Sequence, residues 1–338
     1  MNHRSSWAHV SHLGRRRLLG LVTALAVLGT MSSNSATASQ DWPTRPVTLV
    51  VPFAPGGPTD ITARVLADGL SKIWNQPVVI ENRAGAGGTI GAAAVAKAAP
   101  DGYTLILGVT GSHSIAGSLY PTLPYDPVKD FEAIGKAVIY PNAIIANPQI
   151  PANNLKELID LAKTNRHYQV YGSDGNGTAS HLTMELLRER AGFAATAVQY
   201  KGASPLINDI VGGSVQYGIT GLPSSEAQIK AGKLKLIAIT TDRDYSGKGY
   251  PTIAEQGFPG FVYAPWSGIF APKGTPRPVV EKVAADLQTA LSSPAVVEKL
   301  TSLGLTPKPI VLAEFEADLE KERTAWAEAV KISGARAD

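Results

Sequence analysis

No cysteine occurs among the 338 residues. Disulfides, thiolate metal sites, a thiol nucleophile and a lipid-modified N-terminal cysteine are excluded together. Histidine is nearly as scarce: three of the six lie at His3, His9 and His12, leaving His113, His167 and His181 for the rest of the chain. His181 and Glu185 stand one helical turn apart, but no third ligand accompanies them, so no metal is expected. A long apolar run is missing too. The longest, Leu18 to Gly29, falls short of the roughly 20 residues that a spanning helix needs. It follows Arg15-Arg16-Arg17 and precedes Ala36-Thr37-Ala38, which is the order of an export signal cleaved near Ala38. Residues 1–38 are therefore expected to leave the mature protein. An ordinary secretory route is preferred, although Arg16-Arg17-Leu18-Leu19 keeps twin-arginine export open.

Excess charge of either sign is absent once that leader is set aside. The leader carries Arg4, Arg15, Arg16 and Arg17 of the 31 basic residues and none of the 28 acidic ones, so 27 basic residues face 28 acidic ones in the remainder. No Lys/Arg stripe with interleaved aromatics is present, which argues against nucleic acid and against an anionic membrane surface.

What the chain does contain is alternation. Val47 to Phe53 reads as a buried strand, and Pro58 to Trp74 as a helix with Ile61, Val65, Leu66, Leu70 and Ile73 on one stripe. Strands at Pro77 to Ile80 and Thr104 to Val109 flank an Ala-rich helix from Thr89 to Ala99. A second series follows, with helices at Leu155 to Thr164, Thr178 to Ala191 and Ser204 to Val211. Its strands are expected at Gln169 to Tyr171, Thr196 to Tyr200, Val215 to Ile219 and Leu234 to Thr240. Such βαβ succession implies two α/β units, each with a parallel-rich sheet. The helices Val279 to Leu291 and Ala313 to Val330 come without enough strands for a third sheet, so the chain is expected to rejoin the first unit. Tyr140 to Asn147 and Phe261 to Phe270 are the expected crossings.

Two glycine-rich turns carry the chemistry. V-P-F-A-P-G-G-P-T-D-I-T-A-R, from Val51 to Arg64, ends a strand and opens a helix, presenting free N–H groups and the positive end of a helix dipole. Y-G-S-D-G-N-G-T-A-S-H, from Tyr171 to His181, repeats the device in the second unit. Two such turns, face to face, can grip both ends of a small diacid. Taken singly, each is as well explained by a tight strand-to-helix connection.

Competing motifs fail on chemistry. Asn82 to Gly91 has Ile90 where a dinucleotide loop needs its third glycine. Asp174, Asn176, Thr178, Ser180 and Glu185 have calcium-loop spacing, but Ala179 replaces the glycine of the bend. Asp174, Ser180 and His181 contain the groups of a hydrolase triad. Adjacent Ser and His nevertheless point about 100° apart on a helix, and no nucleophile elbow is present. His113, in T-G-S-H-S after a strand, fits a pocket or a loop equally well.

Several segments together match one family. They are W-P-T-R-P-V-T-L-V-V-P-F-A-P-G-G-P-T-D-I-T-A-R from Trp42 to Arg64, E-N-R-A-G-A-G-G from Glu81, Y-K-G-A from Tyr200, P-T-I-A-E-Q-G from Pro251, W-S-G from Trp266 and A-P-K-G-T-P from Ala271. This ordered set closely resembles the Bug-type solute receptors of tripartite tricarboxylate transporters. The resemblance implies a two-lobed periplasmic binding protein of type II, or Venus-flytrap, architecture, with residues 39–142 and 264–338 in lobe 1 and 143–263 in lobe 2. It implies a binding role without catalysis or cofactor. The partners it implies are a small organic carboxylate and the subunits of a membrane transporter, with the receptor itself a monomer in the periplasm. Carried over by position, the first-lobe site is Phe53, Ala54, Pro55, Gly56, Gly57, Thr59 and Asp60, with Ser112 and His113 on a neighbouring loop. The second-lobe site is Ser173, Gly175, Asn176, Gly177, Thr178, His181, Tyr200, Lys201 and Gly202. Ser224 joins it from the more individual segment Gly221 to Ser225, which is expected to vary with ligand. The family's range of di- and tricarboxylates, amino acids, aromatic diacids and some neutral vitamins leaves the ligand itself open.

Overall fold

The computed structural model describes residues 42–336. The expected leader over residues 1–38 lies outside the described residues. The compact unit that begins at Pro43 carries two sheets. Its strands, in chain order, are β1 (Val47–Val51), β2 (Val78–Asn82), β3 (Thr104–Val109), β4 (Phe131–Ile139), β5 (Asn142–Ala146), β6 (Val170–Ser173), β7 (Thr196–Gln199), β8 (Tyr217–Gly221), β9 (Lys235–Ile239), β10 (Trp266–Pro272) and β11 (Thr306–Val311). The first sheet runs β11-β4-β10-β3-β1-β2 and the second β7-β6-β8-β5-β9.

Both sheets are mixed and, as expected, parallel-rich in strand direction, with four of the six strands of the first and four of the five of the second running the same way. β1 pairs in parallel with β2 and β3, and β6 with β7 and β8. β10 is antiparallel to β3 and β4, and β5 is antiparallel to β8 and β9. The reason is topological. A strand that follows a helical crossover keeps the direction of its predecessor, whereas β5 and β10 each enter directly from a crossing segment and run the other way.

Both crossings carry strands that the sequence pattern hid. The chain leaves β4 at Ile139 and starts β5 at Asn142, and it returns from β9 to begin β10 at Trp266. The two crossings touch, since the Tyr140 amide donates to the Pro265 carbonyl at 3.0 Å. β4 escapes a period-two reading because Glu132, Gly135 and Lys136 interrupt it. Lys136 is nonetheless buried, with its ammonium 2.5 Å from Asp318 and 3.7 Å from Glu322 of the last helix. β11 escapes because Pro307 and Pro309 sit within it. It is an edge strand, where a missing N–H costs least.

The helices largely follow expectation. Pro58–Trp74 and Leu155–Thr164 have the expected bounds, and Ala179–Ala191 starts one residue later because Thr178 caps it. The buried face of the Pro58 helix is centred on Thr62, Ala63, Leu66 and Leu70, while Ile73 is exposed. Small residues move the packing face: a Cβ on Gly69 would sit 3.5 Å from Ala290 and Val296, so neighbouring helices approach there. The last helix, Leu312–Ser333, joins both cores. Phe315 and Leu319 pack with Val50, Trp266 and Phe270 beside the first sheet, whereas Trp326, Ala329 and Val330 pack with Tyr171, Leu182 and Tyr217 beside the second.

Candidate functional site

One small cavity of about 40 Å³ lies between the sheets. Its walls are Phe53, Gly57, Pro58 and Thr59 from the first turn and helix, Val109 to Gly111 after β3, Tyr140, Asn142 and Pro265 from the crossings, and Asp174, Thr178 to Ser180, Gly202 and Ala203 from the second half. Pairing register explains the convergence. Asn142 lies opposite Gly221 at the end of β8, and Ser267 lies opposite Val109 at the end of β3. The crossings thus run along the carboxyl edges of the parallel strands, where α/β sheets place their ligand crevices.

Three helices begin at this cavity. Gly57 caps the Pro58 helix, Thr178 the Ala179 helix and Gly202 the Ala203 helix. Their unpaired N–H groups and dipoles make the wall electropositive without a basic side chain. Gly202 has φ of +125°, a conformation open to glycine, and a Cβ there would lie 3.5 Å from that of Ala54 across the cleft. The Thr178 hydroxyl donates to the Gly175 carbonyl at 2.8 Å and accepts from the His181 amide at 3.2 Å, so it fixes both the turn and the helix start.

The carried-over residues have distinct places. Phe53, Gly57, Thr59, Thr178 and Gly202 line the cavity. Asp60 is turned inward: its carboxylate accepts from the Gly56 amide at 3.0 Å, from Asn82 Nδ2 at 3.0 Å and from Arg64 at 2.9 and 3.0 Å. Burial alone would raise its pKa, but those bonds outweigh burial and hold it below the usual carboxylate range. The Pro55 carbonyl accepts from Ser204 Oγ at 3.1 Å, and a Cβ on Gly56 would lie 2.9 Å from that oxygen, so this turn meets the second half directly. Ala54 belongs to the same turn.

Ser112 and His113 form part of one π-type turn, Gly111–Ile115, and both are fully buried. His113 Nδ1 lies 2.8 Å from Ser112 Oγ, and its ring stacks on Phe270 with centroids 3.9 Å apart. Burial, with a contribution from the Arg323 charge, pulls its pKa down to about 3. Ser173 Oγ and Gly175 bond within the second turn. The Asn176 and Gly177 backbone faces Gly87 and Tyr120 across the cleft. His181 lies behind the turn, accepting the Gly177 amide on Nδ1 at 3.3 Å, and burial lowers its pKa. Tyr200 donates to Asp209 at 2.7 Å and its hydroxyl is pushed up to about 12, by burial first and then by that carboxylate. Lys201 is exposed. Ser224 Oγ is buried without a partner on the Leu222–Lys230 helix, outside the cavity wall.

Five polar wall groups went unassigned from the sequence: Thr110, Tyr140, Asn142, Asp174 and Ser180. Asp174 Oδ1 accepts the Ser180 hydroxyl, and Oδ2 accepts that of Thr220 at 2.9 Å. Burial raises the Asp174 pKa, and its hydroxyl partners offset part of that shift. The Tyr140 hydroxyl is raised by burial and by the neighbouring Asp174 charge. Asp174 had a sequence signal, its place inside the Gly-rich turn; the crossing residues had none.

The description "Tripartite tricarboxylate transporter family receptor" matches residues 62–316. The chain belongs to that family. Among its relatives in the family is Protein BugT of Bordetella pertussis, 36% identical over 324 residues that cover 94% of this chain and 99% of that protein. The periplasmic binding protein BugD is 39% identical, with a TM-score of 0.83 over 87% of this receptor and 99% of that chain. R. palustris Rpa4515, solved with adipate, is 37% identical, with a TM-score of 0.84 over 87% of this receptor and 98% of that chain. The Bug-type, two-lobed α/β character of this receptor is thereby shown.

Proposed function

We propose that this receptor is an exported periplasmic protein that captures a small organic carboxylate between two lobes and delivers it to the subunits of a membrane transporter. The observation that carries this reading is the meeting of three helix N-termini on one enclosed cavity with no basic side chain in its wall. Backbone N–H groups at helix starts bind carboxylates without the desolvation cost of a buried ammonium or guanidinium. The adipate in a relative of similar fold supports the same ligand class.

The lobes are taken as residues 39–142 with 264–338, and 143–263, joined at the Tyr140 and Pro265 crossings. In this proposal the receptor acts as a monomer, without metal or other cofactor, and returns its ligand unaltered. Ser180 supports the last point, since its hydroxyl is bonded to Asp174 while His181 faces the Gly177 amide. The hydrogen-bonded pair Ser112–His113 is fully buried, and neither residue lines the cavity, so it is not placed to attack a bound ligand.

In this proposal the ligand enters when the lobes part and is held when they close on it. Mass spectrometry of the protein purified from the periplasm under non-denaturing conditions tests this reading. The expected result is a stoichiometric small acid, released unchanged on unfolding and rebound in calorimetry. A purely neutral ligand, or conversion of the rebound acid to product, would overturn it.

A further inference from the structure

We propose that the carboxylate this receptor binds also carries a cationic nitrogen, and that Asp174 receives that nitrogen while the Asn142 amide takes a ligand oxygen. The inference rests on the receptor reading above and narrows its ligand class. Asp174 and Tyr140 are the ionisable groups in the cavity wall, and no Lys, Arg or His stands there among the described residues. An enclosed carboxylate with no countercharge is costly, and an uncharged residue at position 174 would avoid that cost. Two hydroxyls, from Ser180 and Thr220, donate to the two Asp174 oxygens, and the Thr178 hydroxyl is a further partner. A carboxylate offers about four acceptor sites, and Asp174 lines the cavity, so it is placed to meet a ligand donor.

Asn142 supplies the complementary observation. It is 2% exposed, lines the cavity, and its Nδ2 has no hydrogen-bond partner. Buried amide donors in folded proteins are nearly always satisfied, so this one is held ready for an acceptor. The wall therefore has two polarities. Helix N-termini and Asn142 favour an oxygen anion, while Asp174 opposes a second anion and favours a protonated amine. A plain diacid satisfies only the first; an amino acid satisfies both.

Calorimetry at pH 7.5 on the ligand-stripped protein, with matched series, tests this. The probes are succinate, malate and aspartate; glutarate, 2-hydroxyglutarate and glutamate; adipate and 2-aminoadipate. In the series that fits the cavity, the amino member should bind at least about tenfold tighter than its hydroxy and unsubstituted counterparts. Asp174→Asn keeps the shape and an acceptor but removes the charge, so it should lose at least about tenfold for the amino member while sparing or improving the unsubstituted acid. Equal affinity across a series in the wild type, or an equal loss for all members in Asp174→Asn, would overturn the inference and leave the carboxylate reading intact. Binding of uncharged solutes alone would overturn both. A second readout needs no variant: on acidification toward the Asp174 titration, affinity for the amino member should fall while that for the unsubstituted acid rises. An affinity for the amino member that stays constant or rises on acidification would refute the assignment.

Discussion

The Asp60 carboxylate accepts the Gly56 amide at 3.0 Å, from within the first turn of the helix that Gly57 caps. One of the N–H groups that the glycine pair exposes thus already has an internal anion. The same carboxylate holds Asn82, whose amide also donates to the Phe53 carbonyl at 2.9 Å. Asp60 is therefore the clamp of the turn. Asp60→Ala strands the Gly56 and Asn82 donors and should cost about 1–3 kcal/mol for each group left unsatisfied. Arg64→Ala, whose side chain is largely exposed, should cost at most about 1 kcal/mol. Urea unfolding of both variants checks the contrast; equal midpoints would show that the clamp carries nothing.

Gly57 is free to accept a side chain without harm to the fold. Its φ is −81°, and an added Cβ would meet no atom closer than 3.9 Å. Gly57→Asp should fold normally yet place an anion at the mouth of the Pro58 helix, where the ligand carboxylate is proposed to bind. Losing one charge-assisted hydrogen bond corresponds to about 1.5–3 kcal/mol, or roughly ten- to a hundredfold in affinity, with repulsion adding to it. Gly117→Asp is the matched control, exposed on a helix away from the cavity with a Cβ contact of 3.6 Å to Pro127. Calorimetry should show binding lost in the first variant and kept in the second.

Closure depends on bare backbone at Gly87. It has φ of +61°, and a Cβ there would fall 2.3 Å from the Asn176 carbonyl in the opposite half. Gly87→Ala should cost about 1–2 kcal/mol locally for the left-handed conformation. It should also keep the lobes apart, although Gly87 itself does not line the cavity. Small-angle scattering with saturating ligand should then show the larger radius of the open form and weakened binding, where the wild type compacts. Full compaction in the variant would place the closing contact elsewhere.

His113 makes stability depend on acid. Its folded pKa of about 3 lies below the ordinary value of 6.5, so between those limits the unfolded chain binds more protons. Stability is then fully present above about pH 6.5 and is lost as the pH falls toward 3. Asp60 adds a loss of the same sign at more acidic pH, since its folded pKa is also lowered. His113→Leu should be less stable than the wild type at pH 7.5, because Ser112 loses its partner. It should nevertheless lose less stability than the wild type between pH 6.5 and 4. Parallel pH profiles from urea unfolding would mean that the ring titrates normally.

Local chemistry was legible wherever one segment contained its own cause. Pro58 at a helix start and the bounds of the Leu155–Thr164 helix follow from residue type and spacing alone. Strand β4 was hidden for the opposite reason. Lys136 belongs in a buried strand only because Asp318 and Glu322, far along the chain, supply its countercharge.

The sequence by itself determined the βαβ succession of each half, the two glycine-rich turns and the family, because each is written in contiguous residues. The tertiary structure alone decided which of those residues face the cavity. Asp60 and His113 share turns with wall residues yet point into the protein, where Gly56, Asn82 and Phe270 hold them. Tyr140, Asn142 and Pro265 reach the wall only because the crossings return along the carboxyl edges of both sheets. A turn's sequence sets its backbone, but the direction of a side chain and its neighbours are set by what packs against that turn. Some of those contacts come from segments more than a hundred residues apart, as with Ser204 and the Pro55 carbonyl, separated by 149.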